Sequence, residues 1–285
     1  MHVLIVGCGY VGLELGRQLT PEHRVTGVRR SEAGLDAVTE AGLEAVHGDA
    51  SNATDLLSLP SADVVVYAAS ARGGTGARET YVDALEMVID HFGGRRSEPD
   101  QLVYTSSTGV YGDHGGDWVD EETPLRPTTD RERTLIEAER IALEAGNPAI
   151  DRTVLRFGGI YGPGRSPVER YLEGPVSPGY GNFVHRDDAA GAIAYLLTTV
   201  TESPSVLNVV DDQPMERPAL ARWIAAQQGV QAPEVVPLEE RELSQSRRER
   251  LAANKRVSNV RLHETGYELR YPTVEDGIRS GLETA

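Results

Sequence analysis

Three glycines near the N-terminus, Gly7, Gly9 and Gly12, are spaced as G-x-G-x-x-G. They follow His2-Val3-Leu4-Ile5-Val6, an apolar, β-branched run with the character of a buried parallel strand. Leu13, Leu15 and Leu19 then recur at helical spacing. Glycines at such a strand-to-helix turn are suited to holding a pyrophosphate on the free N–H groups and positive dipole end of the helix. Gly7 permits the tight turn, Gly9 lets the backbone come close to phosphate, and Gly12 lets the helix pack on the strand. The turn residues Tyr10 and Val11 complete the predicted seat. A second predicted strand, Val25–Val28, runs into Arg29-Arg30, where an NAD site usually carries Asp or Glu for the ribose 2′-hydroxyl. A guanidinium suits a 2′-phosphate instead, so NADP is the expected cofactor and NAD the alternative. The competing reading makes one or both arginines solvated loop charges.

The elements that must position these groups recur along the chain. Leu43–His47 reads as a third strand, followed by Gly48-Asp49-Ala50. There Asp49 either accepts from the adenine amino group or caps a segment over Asn52–Leu57, with Ala50 beside it at the cofactor. Asp63–Ala69 is a fourth strand whose closing Ala68 and Ala69 are expected to line the cofactor, and Gln101–Thr105, Thr153–Arg156 and Val206–Val210 follow. Helices are expected over Glu79–Phe92, striped by Val82, Leu85, Val88 and Ile89, and over Arg131–Ala145, striped by Leu135, Ala138, Ile141 and Ala142. Strands alternating with helices predict an α/β fold, a doubly wound parallel sheet of Rossmann type. Beyond Gly158 the chain turns rich in Gly and Pro, and Arg217–Gln228 and Leu238–Ala253 read as helices outside the sheet. The expected division is a dinucleotide-binding domain over 1–165 and 183–212, with a smaller C-terminal substrate lobe of 166–182 and 213–285.

Bulk properties narrow the class. The 285 residues carry a net charge of -16, and Lys255 is the only lysine among 28 basic residues. Such acidity disfavours nucleic acid, whose phosphates would be repelled. It resembles the balance of proteins from salt-loving organisms, with arginine-biased codon usage as the plainer explanation. No apolar run is long enough for a membrane span and no signal peptide is visible, so a cytoplasmic protein without membrane partners is expected. The lone Cys8 sits inside the glycine turn as a small packed residue, and no metal-ligand pattern is present.

Several further segments, taken in order, carry a resemblance. They are Thr105-Ser106-Ser107-Thr108-Gly109-Val110-Tyr111-Gly112, Asp120–Pro127, Leu155-Arg156-Phe157-Gly158-Gly159-Ile160-Tyr161-Gly162-Pro163-Gly164, Phe183-Val184-His185-Arg186-Asp187-Asp188-Ala189 and Asn208–Pro214. With the glycine turn, this set resembles the extended short-chain dehydrogenase/reductase superfamily, which contains NAD(P)-dependent sugar-nucleotide epimerases and dehydratases. That resemblance implies hydride transfer assisted by a Tyr-x-x-x-Lys pair, where tyrosine is the acid or base and lysine lowers its pKa. Here the tyrosine position falls on Arg131, the lysine on Leu135 and the trailing acid on Glu139, and no Tyr-x-x-x-Lys exists anywhere in the chain. The departure resembles the atypical branch, which keeps the cofactor turn and loses the dyad.

What the resemblance carries over is therefore limited. Ser107 falls at the family's catalytic Ser/Thr and could hydrogen-bond a substrate oxygen. Asp83 lies near a supporting asparagine, while Thr108-Gly109 replaces the Asp-Glu pair of nucleotide-sugar 4,6-dehydratases. Tyr111 is a candidate proton donor or a fold hallmark. Arg131 could stabilise an oxyanion or stand as an exposed helix charge. His185 is a substrate-side candidate or a histidine bonded to backbone, and Arg256 could clamp an anionic substrate while Ser258 or Asn259 caps the next helix. Arg72, in a Gly-rich loop, is a further phosphate candidate or a loop charge. The implied function is an epimerase/dehydratase-like oxidoreductase acting on a nucleotide sugar or related small polar substrate. The alternative is an NADP-binding sensor or regulator without turnover. Pairing of the helices 79–92 and 131–145 implies a homodimer.

Overall fold

The computed structural model describes residues 1–71, 76–93 and 98–283; the candidate Arg72 lies outside them. Five strands, β1 (His2–Val6), β2 (Arg24–Arg29), β3 (Glu44–His47), β4 (Val64–Tyr67) and β5 (Gln101–Ser107), join Asp151–Phe157 and Val206–Val209 in one seven-stranded parallel sheet. The order across it is Val206–Val209, Asp151–Phe157, β5, β4, β1, β2, β3. Val3, Leu4, Ile5 and Val6 in β1 and all four residues of β4 are buried, as expected of parallel strands covered on both faces. The chain leaves β1 for β2 on one side and later pairs β4 on the other, so strand order reverses beside β1. In open α/β sheets such a switch point is where ligands bind.

Helices α1 (Tyr10–Leu19), α2 (Glu32–Glu40), α3 (Ala53–Leu56), α4 (Ala84–Gly93) and α5 (Asp130–Glu144) supply the crossovers. The predicted stripes are what they bury: Leu85, Val88 and Ile89 on α4, and Leu135, Ala138, Ile141 and Ala142 on α5. The expected helix from Glu79 departs from regularity at its start, where Glu79–Asp83 forms a π-helical turn before α4. Leu238–Ala253 is not one helix either. A 3₁₀ turn at Leu238–Glu240 and a helix at Gln245–Ala252 are separated, with Arg248 donating to the Leu238 and Arg241 carbonyls in the break.

The chain forms two compact units, Met1–Ser107 with Arg133–Arg156 and Ala189–Leu207, and Thr108–Glu132 with Phe157–Asp188 and Asn208–Ala285. These boundaries differ from the expected 1–165 and 183–212. The reason is local pairing: Trp118–Val119 pairs with Arg256–Val257, and Gly159–Tyr161 pairs with Phe183–His185, which draws 108–132 and 157–165 to the C-terminal segments. Inside the second unit Tyr161, Phe183, Leu220, Ile224 and Val274 pack into a core of their own.

One buried polar cluster braces the first unit. The Glu139 carboxylate accepts from Ser106 Oγ at 2.6 Å, Arg156 Nε at 3.1 Å and Arg156 Nη2 at 2.7 Å. All three residues are buried, so α5 is tied to β5 and its neighbour strand by charge that water cannot screen. Arg156→Met leaves Glu139 buried and unpaired and is expected to lower stability by about 3–5 kcal/mol. Urea denaturation of the variant and of Arg156→Met/Glu139→Gln, which removes the orphaned charge and recovers part of the loss, measures this.

Candidate functional site

Gly7 has φ +80°, and a Cβ placed there would lie 2.5 Å from both N and Cα of Ala69. Only glycine permits that approach of the first turn to the end of β4. A Cβ at Gly12 would meet Ile5 Cγ2 at 2.9 Å, so this glycine seats α1 on β1. Gly9 is the N-cap of α1; no side chain caps the helix there, and its first turn holds no acidic residue. The helix therefore presents backbone donors and a positive dipole end at the switch point, which is what a diphosphate requires. The residues present fit a dinucleotide. Cys8 is buried beside the turn, and desolvation pushes its thiol up to about 12, which makes it a packing residue.

At the end of β2, Arg29 reaches across the turn. Its Nη1 is 3.0 Å from an ideal Cβ at Gly9 and its Nε 2.6 Å from one at Gly34 in α2. Arg30 is exposed and lies 3.7 Å from Asp49. The Asp49 carboxylate accepts from the Ser51 hydroxyl and the Ser51 N–H, which with Arg30 hold it below the usual carboxylate range. It does not cap the following helix; Asn52 does, accepting from Thr54 N. Ala50 is half-buried beside it.

The parallel register that pairs Tyr67 with Tyr104 sends the ends of β4 and β5 out of the sheet along the same edge. Ser107 ends β5 there, half-buried, while Ser106 is consumed by Glu139. Asp83 is exposed and 3.7 Å from Arg78, not turned toward the sheet. Two residues earlier, Tyr81 is buried, and its hydroxyl accepts from Ala71 N at 3.3 Å just beyond β4.

The second unit holds the remaining candidates. Tyr111 is fully buried and donates to Asn208 Oδ1 at 2.8 Å, while Asn208 N–H donates to Glu121 and its Nδ2 to the Ser258 carbonyl. That network fits the fold-hallmark reading of Tyr111. His185 is buried, accepts from Asp187 N at Nδ1, and lies against Tyr271 at 4.1 Å between ring centroids, so it secures a helix start. Arg256 donates to the Gly116 carbonyl with its guanidinium over both Trp118 and Tyr180. Ser258 accepts from Val260 N, whereas Asn259 is turned to the Val210 carbonyl and Asp212.

Arg131 is exposed on α5 and belongs to a group that the individual motifs did not reveal. Arg250 is held below its ordinary value by burial and by the charges of Arg131, Arg170 and Arg247. Arg241 is similarly lowered by burial and Arg247, and Arg217 by burial and the charge of Arg241, against the opposing pull of Tyr171. Arg217 is 7% exposed, donates to the Pro178 and Leu251 carbonyls, and its Nε has no partner. None of these six guanidinium groups makes an ion pair among the described residues. In a chain of net charge -16 they form an uncompensated positive cluster, suited to an anionic ligand. Clustering was invisible in sequence because the arginines span residues 131 to 250 and meet only through folding.

Residues 7–199 match the NAD(P)H-binding family. The chain belongs to that family. Protein YeeZ of Escherichia coli strain K12 is 33% identical over 204 residues, covering 68% of this chain and 72% of YeeZ. A solved structure of a conserved protein of unknown function from Silicibacter pomeroyi is 29% identical, with TM-score 0.81 over 98% of this chain and 97% of the other. Another, from Methylobacillus flagellatus and provisionally named an NAD-dependent epimerase/dehydratase, is 32% identical, with TM-score 0.80 over 99% and 98%. The human epimerase family protein SDR39U1, solved with NADPH, shares the fold at 20% identity, with TM-score 0.82 over the whole of both chains. This NAD(P)H-binding protein is an atypical extended short-chain dehydrogenase/reductase. No helix among the described residues is long and apolar enough to cross a membrane, and no group of three His, Cys, Asp or Glu there could hold a metal.

Lys255 also gains a place that its motif did not suggest. It is buried, donating from Nζ to the Gly112 carbonyl at 3.1 Å, and burial lowers it to about 8 against the opposing pull of Glu132 and Asp113. A lysine whose folded-state value lies below 10.5 leaves the unfolded chain with more bound protons between those values, so stability rises with pH there. From pH 8 to about 10 the wild type should gain about 2–3 kcal/mol that Lys255→Met does not. Denaturant midpoints across that window test it; parallel curves for the two proteins contradict it.

Proposed function

We propose that this protein is an NADP(H)-dependent oxidoreductase of the epimerase/dehydratase type, acting on a small anionic substrate of the nucleotide-sugar class. The observation that carries the cofactor preference is Arg29, set between Gly9 and the start of α2 without a carboxylate partner among the described residues, with Arg30 and Ser31 following. A 2′-phosphate would replace the missing counter-ion, which the bare hydroxyl of NAD does not. Backbone groups of Gly7, Gly9, Tyr10, Val11 and Gly12 would hold the diphosphate, Asp49 and Ala50 the adenine side, and Ala68 and Ala69 the face of the sheet. The bound nicotinamide would supply hydride exchange.

On the chain's side, Ser107 of the first unit would orient a substrate oxygen by hydrogen bonding. Within the second unit taken by itself, the cluster of Arg131, Arg170, Arg217, Arg241, Arg247 and Arg250 would suit an anionic group. Arg256 and His185 support the walls of the second unit rather than the reacting atoms, given their backbone and ring partners. Missing Tyr and Lys at 131 and 135 favour the second reading, an NADP(H)-binding sensor without turnover. A homodimer through α4 and α5 would bring charged faces together, since Glu86 and Asp90 are exposed on α4 and Asp130, Arg131, Arg133, Arg140 and Glu144 on α5. A cytoplasmic setting at high salt agrees with the acidic surface.

Calorimetric titration should show NADPH binding more tightly than NADH, and Arg29→Ala should lose about tenfold to a hundredfold in NADPH affinity with little change for NADH. Equal affinities in the wild type contradict the preference. Incubation with labelled NADPH and a panel of nucleotide sugars separates enzyme from sensor: transferred label supports turnover, and tight binding without transfer supports the sensor.

A further inference from the structure

Loss of the family's tyrosine leaves a proton to be supplied, and the first unit contains a phenol placed for that purpose. On the proposed cofactor reading, we infer that Tyr81 is the relocated acid/base group of this protein. A π-helical turn at Glu79–Asp83 inserts extra backbone at the start of α4, a distortion that recurs at functional sites. Within that turn Asp83 faces solvent and Tyr81 faces the protein.

The Tyr81 hydroxyl accepts from Ala71 N at 3.3 Å. Ala71 is two residues beyond Ala69, whose backbone is what forces glycine at position 7. The phenol is thus anchored to the same stretch that borders the diphosphate turn. The β4–β5 register brings Ser107, at the end of β5, to the same edge of the sheet as the chain leaving β4 toward Ala71. The Ala71 N–H occupies one acceptor site of the phenol oxygen, and no acceptor for the O–H is found among the described residues. That leaves the proton available to a substrate oxygen.

The two neighbouring tyrosines, Tyr67 and Tyr104, are fully buried, and the Tyr104 hydroxyl has no hydrogen-bond partner among the described residues. Tyr67 donates to the Thr80 carbonyl, and burial raises it far above the ordinary phenol value. Tyr104 is fully buried between the strands and is raised further by Glu139. In the reducing direction the Tyr81 O–H bond breaks and its proton goes to the carbonyl oxygen of the substrate. Reduced nicotinamide, when bound, would supply the hydride for the new C–H bond, which would leave an alcohol, oxidised nicotinamide and a tyrosinate that regains a proton from water. Oxidation runs the same exchange backwards.

The test uses the full chain and NADP⁺. A cationic nicotinamide ring beside a phenol favours its anion, so adding NADP⁺ at alkaline pH should raise the tyrosinate difference absorbance of the wild type by about one phenol per chain. Tyr81→Phe should bind NADP⁺ within about twofold by calorimetry and show no such increase, while Tyr104→Phe should retain it. If any substrate of the panel turns over, kcat should fall about a hundredfold or more in Tyr81→Phe with KM little changed. Binding of NADP⁺ to the wild type with no new tyrosinate overturns the inference even if Tyr81→Phe fails to fold, as does an increase that survives Tyr81→Phe. Failure of NADP⁺ to bind the wild type at all strikes the cofactor reading instead.

Discussion

The close approach of Gly7 to Ala69 is the constraint on which the rest of the first unit depends. Any side chain at position 7 would run into the backbone leaving β4, at 2.5 Å, and the φ of +80° is one that L residues rarely hold. Because the turn is tight, α1 starts directly above β1 with an uncapped end at the switch point. Because Ala69 is held there, Ala71 emerges where it meets Tyr81. One steric requirement thus places the anion seat and the phenol on a shared segment.

Charge is distributed with the same economy. The chain is strongly acidic, yet among the described residues the guanidinium groups at Arg29 and around Arg217 make no carboxylate pair, while Arg156 and Arg78 are matched to Glu139 and Glu137. Burying a guanidinium without a counter-ion is unfavourable, and such an arrangement persists where an anion is to complete it. The paired arginines hold elements together.

Much of this was legible in the residues alone. The glycine spacing, the valine-rich strands and the apolar stripes of α4 and α5 depend on local periodicity, and the sheet follows them closely. Family membership followed from ordered motifs, and the absent Tyr-x-x-x-Lys pair needed only a count of lysines. Other features depend on long-range packing and left no local trace. Tyr111 stood open as a proton donor or a fold hallmark, and only folding brings its hydroxyl to Asn208, 97 residues away. The π turn that selects Tyr81 over Asp83 has no period that a helical stripe would betray, and the expected Leu238–Ala253 helix broke where Arg248 bonds to carbonyls. Of the two readings open for Asp49, capping falls instead to Asn52, three residues further on.

The central claim is that the amide groups at the start of α1 receive a dinucleotide diphosphate, with Arg29 at its 2′-phosphate. A crystal structure of the protein grown with NADPH tests this most directly. The account predicts density for the diphosphate against Gly9, Tyr10 and Val11 and for the 2′-phosphate within hydrogen-bond reach of Arg29. NADPH seated elsewhere, or a glycine turn left vacant at saturating NADPH, would contradict it.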